Sequence, residues 1–302
     1  MQGTVTRAGR GTFRGFRLSP KAAPYVFVAP AFILFLIFMV YPIIYSFILS
    51  FQTNREGEQV WVGLNNYSRL LGDELFRTAL FNTFIVLILQ VPIQLALAML
   101  LAVVLNSKAL KARSFFRAVY FLPAITSLSA ASVIFRIIFA DPDGFFNSFL
   151  SVFSFGPIHW TLDAFANRVL LIMAITWRWT GYNMVIYLSG LQGIPDDLYE
   201  AASVDGATWA TKFFQITLPL LRPIILFTTV LSTIGTLQIF DESYLLTNGG
   251  PQNATMTVGF YLYRTAFRQA DFSYASTIAY GLLVIIAILS LLQFRFAGTR
   301  ED

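Results

Sequence analysis

Six stretches of about twenty or more mostly apolar residues leave this 302-residue chain few ways to fold. They cover about 24–51, 77–105, 118–140, 169–191, 220–247 and 272–296. At 1.5 Å per residue, roughly 20 residues of helix match a hydrocarbon core about 30 Å thick. Lipid offers no partner to a backbone N–H or C=O, so runs of this length are expected as helices that satisfy their own backbone. Only 12% of the residues are charged, against about 25% in soluble domains. The fold class is therefore all-α and polytopic, with six transmembrane helices.

The formal charge of +5 is concentrated rather than spread. Arg7, Arg10, Arg14, Arg17 and Lys21 precede the first run, and Lys108, Lys111, Arg113 and Arg117 fill the connection after the second. Cationic clusters in alternate connections hold those segments in the cytoplasm. Both termini are then cytoplasmic, with 1–23 a basic tail, 24–296 the membrane domain and 297–302 a short C-terminal tail. The charge is accounted for by membrane topology, and no nucleic acid is expected as a partner. Residues 52–76, carrying Glu56, Glu58, Asp73 and Glu74, read as external, with an amphipathic turn at W-V-G-L-N-N-Y (residues 61–67). Pro30 and Pro42 should bend the first span, and Gln90-Val91-Pro92 interrupts the second. The chain has no cysteine and one histidine, His159. Thiolate chemistry is excluded, and neither a metal centre nor a conventional hydrolytic triad is expected.

Residues 192–219 are polar and bendable between two apolar runs. Asp197 followed by Glu200 has capping-box spacing, so a short helix should begin near Leu198. Gly206 permits a sharp turn. A second short helix carries Trp209, Phe213 and Phe214, and Pro219 is expected to stop it. The result is a helix–turn–helix knuckle, for which an amphipathic loop lying on the bilayer surface is the plainer alternative.

Within it, Glu200, Ala201, Ala202, Gly206, Ile216, Leu218 and Pro219 fit E-A-A-x3-G-x9-I-x-L-P without a gap. This resembles the EAA loop of bacterial ABC importer permeases. With Leu191 to Ala202 and Asp205-Gly206-Ala207, and with Leu246 to Pro251 followed by Tyr263, Ala266 and Phe267, the chain is similar to permeases of maltose-type carbohydrate importers from about residue 24 onward. The resemblance implies a type I importer fold in the bacterial inner membrane, in which Glu200, Ala201, Ala202, Asp205, Gly206, Ile216, Leu218 and Pro219 receive force from an ATPase. It also implies a second homologous permease as heterodimer partner, two copies of the cytoplasmic ATPase, an extracytoplasmic solute-binding protein and a sugar substrate. No G-x-x-x-x-G-K-[ST] occurs in the chain, so ATP and Mg are expected on the partner ATPase and no cofactor here.

Charges inside a span mark a pathway or a paired interior site. Arg178 lies about ten residues into the fourth span, and contact with sugar or bracing of helices are both open for it. Arg136, near the end of the third span, is expected to snorkel. Ser232, Thr236 and Ile239 share one face of the fifth span at helical spacing. By resemblance to the maltose permease that face, with Gln238, lines the substrate pathway; close helix packing is the alternative. Asn183 and Tyr187, spaced i, i+4, are further pathway candidates. Asp241 and Glu242 are expected near the outer interface, touching the binding protein or pairing with Arg264 or Arg268. Asn248, Gly249 and Gly250 join them as binding-protein contacts. A glycerol-3-phosphate or polyol importer is the alternative within transport. An ion-coupled carrier would call for inverted repeats, and none is evident.

Overall fold

A computed structural model describes residues 19–107 and 110–297. Most of the basic tail, Lys108 and residues 298–302 lie outside the described residues. The chain divides into two units, Met1–Ile48 and Leu49–Asp302.

The first unit holds helix α1 (Ala23–Leu49) almost entire. Pro24 sits in its first turn, where a missing N–H is harmless. Pro42 cannot donate to the Phe38 carbonyl, and the turn before it widens into a π turn over Leu36–Val40, with Tyr41 N–H reaching back to Leu36 O. Most of its apolar side chains are exposed, Tyr25 and Phe27 among them.

The second unit begins with a hairpin, β1 (Gln52–Arg55) against β2 (Glu58–Trp61), in antiparallel register from Gln52↔Trp61 to Arg55↔Glu58. Glu56 and Gly57 at its tip both have positive φ, the conformation that closes a two-residue hairpin. Only the end of the expected amphipathic turn is helical, in α2 (Asn65–Gly72). Then come α3 (Glu74–Asn106), α4 (Arg113–Ile125), α5 (Leu128–Ile138), α6 (Phe145–Val152) and α7 (Ala164–Gln192). The knuckle supplies α8 (Asp196–Val204) and α9 (Trp209–Leu220). The remainder is α10 (Arg222–Leu237), α11 (Val258–Tyr263) and α12 (Phe272–Ala297).

Four helices, α1, α3, α7 and α12, are each long and apolar enough to cross a membrane, and the pairs α4–α5 and α9–α10 raise the number to six if each bent pair is one span. The expected third span is therefore broken, and the helix of the expected fifth is shorter. The third turns by 98° between α4 and α5. Pro123 removes a donor in the last turn of α4, and Thr126 and Ser127 are extended. The fifth is set off from α9 of the knuckle by a 67° bend at Leu221, close to its expected start, and its helix α10 ends at Leu237, with a separate helical stretch over 241–247. Beyond it the Ile239 carbonyl accepts from Thr257 Oγ1 at 2.7 Å instead of from a helical N–H.

The bundle is centred on α3 and α7. Ala98 and Ala102 on α3 are fully enclosed against Met184, Leu188 and Leu191 of α7, small residues that let two backbones approach where packing replaces the hydrophobic effect. The closest approach is elsewhere on α7. A Cβ on Gly181 would fall 1.7 Å from the Tyr120 carbonyl oxygen of α4, whereas one on Gly72 would meet nothing within 4 Å. We therefore expect Gly181→Ala to force α4 off α7, at a cost of about 3 kcal/mol or more. Gly72→Ala should leave the thermal midpoint in detergent nearly unchanged, and equal midpoints for the two variants would contradict this packing.

Candidate functional site

A cluster of polar groups surrounds a cavity of about 590 Å³ between α3, α7, α10 and the segment after α10. Its volume lies within the usual range for small-molecule sites, roughly 300–1,000 Å³. Six of the expected pathway residues line it: Arg178 and Asn183 from α7, and Ser232, Thr236, Gln238 and Ile239 from α10 and its end. Trp179, Tyr182 and Phe240 add rings, and Trp179 meets Tyr182 edge-on with centroids 5.9 Å apart.

Tyr187 is a correction. It is only 1% exposed, and its hydroxyl is 2.7 Å from Thr228 Oγ1 in the α3–α7 core rather than on the cavity. One turn separates it from Asn183, but α10 closes over it. Gln94, by contrast, lines the cavity and was missed. Gln90 Nε2 donates to Gln94 Oε1, and Thr236 Oγ1 donates to Gln90 Oε1 at 3.1 Å, so a buried polar chain crosses from α10 to α3. Two glutamines at i, i+4 in an otherwise apolar run were the available signal.

Glu242 is the second correction. It is buried at 7% exposure, and its Oε1 lies 3.8 Å from Arg178 Nη1, an ion pair across the cavity wall. The expected partners lie over rings instead, Arg264 over Tyr261 and Arg268 over Tyr244. A buried carboxylate is stabilised by the nearest enclosed cation, not by one at an interface. Asp241 beside it is exposed and lines the cavity. Arg136, expected to snorkel, donates from Nε to Leu246 O at 3.3 Å.

At the same end of the bundle as Asp241, the connection from α10 to α11 is firmly held. Asn82 Nδ2 donates to Asn253 O and Met256 O at 2.7 and 3.1 Å, and Arg168 Nε donates to Ala254 O at 3.0 Å. Ser243 Oγ donates to Thr255 O at 2.5 Å. Of the three loop residues singled out, Asn248 is exposed, whereas Gly249 is buried with positive φ under the Phe260 ring. Gly250 is half-buried and donates to Thr247 O at 2.9 Å. Asp73, the N-cap of α3, joins three helices here. Its Oδ2 accepts from the Tyr261 and Tyr274 hydroxyls at 2.5 and 2.6 Å, and its Oδ1 accepts from Leu75 and Phe76 N–H. Burial pushes this carboxyl up, but the four hydrogen bonds outweigh it and hold it below the ordinary carboxylate value. Burial and the bond to Asp73 push Tyr261 up to about 12.

At the opposite end the knuckle projects. α8 starts at Asp196, directly after Pro195, with no side-chain cap. The expected capping box is thus not used; Asp196 and Asp197 instead place negative charge in the first turn, where the helix dipole favours it. Gly206 has φ +77° with open space around it, so the backbone angle, not crowding, requires glycine. Thr208 caps α9 by accepting from Thr211 N–H, and Trp209 stacks on Phe213 at 5.5 Å. α9 runs through Pro219 to Leu220 rather than stopping at it. Lys212 Nζ donates to Ser203 Oγ at 2.6 Å, and Tyr199 Oη meets Thr217 Oγ1 at 2.8 Å, so the two short helices move as one piece. Glu200, Ala201, Asp205, Gly206 and Pro219 are exposed; Ala202, Ile216 and Leu218 are half-buried. Val204 and Trp209, 89% and 68% exposed, give the tip an uncovered apolar ridge.

Comparison with known proteins matches residues 75–297 to the model of the binding-protein-dependent transport system inner membrane component family. The chain is 45% identical over 281 residues to the lactose transport system permease protein of Rhizobium radiobacter, covering 92% of this chain and 94% of that one. It is 40% identical over 298 residues to the arabinooligosaccharides transport system permease protein of Bacillus subtilis (strain 168), covering 97% and 94%. In three dimensions it resembles a chain of a bacterial ABC transporter involved in the import of the acidic polysaccharide alginate, with a TM-score of 0.83, 24% identity and coverage of 93% and 96%. The chain belongs to this family of inner-membrane permeases, and its fold is that of a type I ABC importer subunit.

Because the folded-state value of Asp73 is depressed, its stabilisation is present above the ordinary carboxylate range and is lost as pH falls through the folded value. Asp73→Asn should lower stability at pH 7 by about 1 kcal/mol, allowing for solvent screening of a partly exposed group. Thermal unfolding in detergent at pH 7 and at pH 3 checks this: the gap from the parent should narrow at the lower pH.

Proposed function

We propose that this permease is one of two homologous membrane subunits of an ATP-driven importer that moves a sugar or oligosaccharide into a bacterial cell. The observation that carries the reading is the exposed knuckle with Glu200 and Gly206 at its surface, in a chain whose relatives at 45% and 40% identity are named for lactose and arabinooligosaccharide transport. In this reading the knuckle and both termini face the cytoplasm, and a pair of ATPase subunits, which hold ATP and Mg, grips the tip. The chain itself hydrolyses nothing. The opposite end, with Asp241, Asn248 and the clamped connection, meets an extracytoplasmic binding protein that delivers the sugar.

The route of force follows from covalent continuity. α8 and α9 are cross-linked by Lys212–Ser203 and Tyr199–Thr217, and α9 joins α10 through the single buried residue Leu221. A push on the tip therefore turns α10, which carries Ser232 and Thr236 on the cavity wall. Rotation of that wall opens the cavity to one side of the membrane or the other. Ring faces of Trp179, Tyr182 and Phe240 suit the C–H face of a sugar, and the amide and hydroxyl side chains suit its hydroxyls.

The test is reconstitution of the complete assembly with candidate sugars, reading ATP turnover and uptake together. At least one carbohydrate should stimulate turnover severalfold; a flat response to all of them would sink the assignment. Gly206→Val places a β-branched residue at φ +77°, which is strained whatever the space. Sugar uptake should drop at least tenfold in this variant while the assembly still hydrolyses ATP. Unchanged uptake would remove the knuckle from the force path.

A further inference from the structure

We infer that the Arg178–Glu242 pair, with Asp241, is a charge filter by which this subunit admits neutral saccharides and turns away acidic ones. The inference rests on the importer reading above and specifies its substrate class. The cavity wall carries one guanidinium and two acidic side chains. A free arginine in such a place would draw in a uronate or a phosphate ester, since a planar guanidinium matches both. This arginine is not free. Glu242 lies 3.8 Å from Arg178 Nη1 and is itself buried, so an incoming anion would have to displace an enclosed carboxylate that has nowhere wetter to go. Asp241, exposed on the same wall, presents a further acidic group to the ligand.

The same geometry welcomes an uncharged sugar. Nε and Nη1 of Arg178 are enclosed without a hydrogen-bond partner, so neither is open to a ligand in the cavity, charged or neutral. A saccharide hydroxyl brings no charge, and it can donate to Asp241, Gln238 or Asn183 and accept from the two amides on the same wall. Arg178 and Glu242 thus act on selection as a unit: the glutamate and the enclosure of the guanidinium withhold the arginine from anions, while the amide and hydroxyl groups of the wall remain for neutral oxygen.

The experiment separates this filter from the specificity of a binding protein by leaving that protein out. The assembly, purified through a tag on this chain and placed in nanodiscs, is titrated with matched pairs that differ only in a carboxylate, galactobiose and digalacturonate among them, and with glycerol 3-phosphate. The parent assembly should favour the neutral member of each pair at least tenfold. Glu242→Gln frees the arginine and should move that ratio at least tenfold toward the acidic member; Arg178→Gln combined with Glu242→Gln should abolish the gain. Asp241→Asn, at an exposed position, should move the ratio severalfold in the same direction and serves where Glu242→Gln fails to assemble. A loss of packing alone would weaken both members together and leave their ratio unmoved. Equal binding of both members by the parent assembly, or a ratio unchanged in Glu242→Gln and Asp241→Asn, would overturn the filter. Failure of every saccharide, neutral or acidic, to stimulate ATP turnover in the complete assembly would instead remove the importer reading beneath it.

Discussion

A polar group carried into an apolar medium must bring its partner with it, and this requirement organises the second unit. Gln90 and Gln94 sit on α3 among residues that would otherwise read as pure lipid-facing or core helix, and they are tolerable because each satisfies the other and Thr236 completes the chain. Arg178 on α7 is tolerable because Glu242 arrives from the segment after α10. Both arrangements reach between a long continuous helix and α10 or the segment that follows it. The polar chemistry therefore fixes where α10 lies against α3 and α7, and the cavity is the space left between them.

The breaks in helical structure obey the same rule. Where α10 ends, the Ile239 carbonyl loses its helical donor and takes Thr257 Oγ1 in exchange, while Val258 N–H is accepted by Thr83 Oγ1 of α3. A carbonyl or N–H released at that depth without such partners would cost several kcal/mol. The connection from α10 to α11 is thus a rigid plug, held by Asn82 and Arg168 across more than eighty residues of sequence. Motion in this unit is more readily accommodated at Leu221, where one buried residue joins α9 to α10, than at the clamped end.

The sequence made some of this legible, and the reasons for the rest are specific. Apolar length located the spans because bilayer thickness is a property of one segment at a time. The turn at Gly206 was readable because a positive φ is a local demand. Helix faces were half-readable. Ser232, Thr236 and Ile239 do share the cavity side, but Tyr187, one turn from Asn183, is covered by Thr228, which periodicity on α7 alone does not reveal. The 98° bend after α4 was missed because Pro123 sits in an apolar run like any kink-forming proline, and only the extended Thr126 and Ser127 turn a kink into a corner. The ion pair was misassigned for the same reason: Glu242 is 64 positions from Arg178 and only 22 from Arg264, and proximity in sequence favoured the wrong cation.

Stability alone does not account for that ion pair. Replacing a buried pair by apolar residues of similar volume is often neutral or favourable by about 1–4 kcal/mol, because desolvation of two charges offsets their attraction. Arg178 and Glu242 are both largely enclosed, and two nitrogens of the arginine lack hydrogen bonds, so this pair is among the less favourable of its kind for the fold. Leucine and methionine would fill the same space on α7 and after α10 at no such cost. A pair that packing could do without, placed on the wall of the cavity and beside its exposed carboxylate, makes sense only for what passes that wall. Its cost to the resting fold is the physical reason to look for its benefit in the ligand.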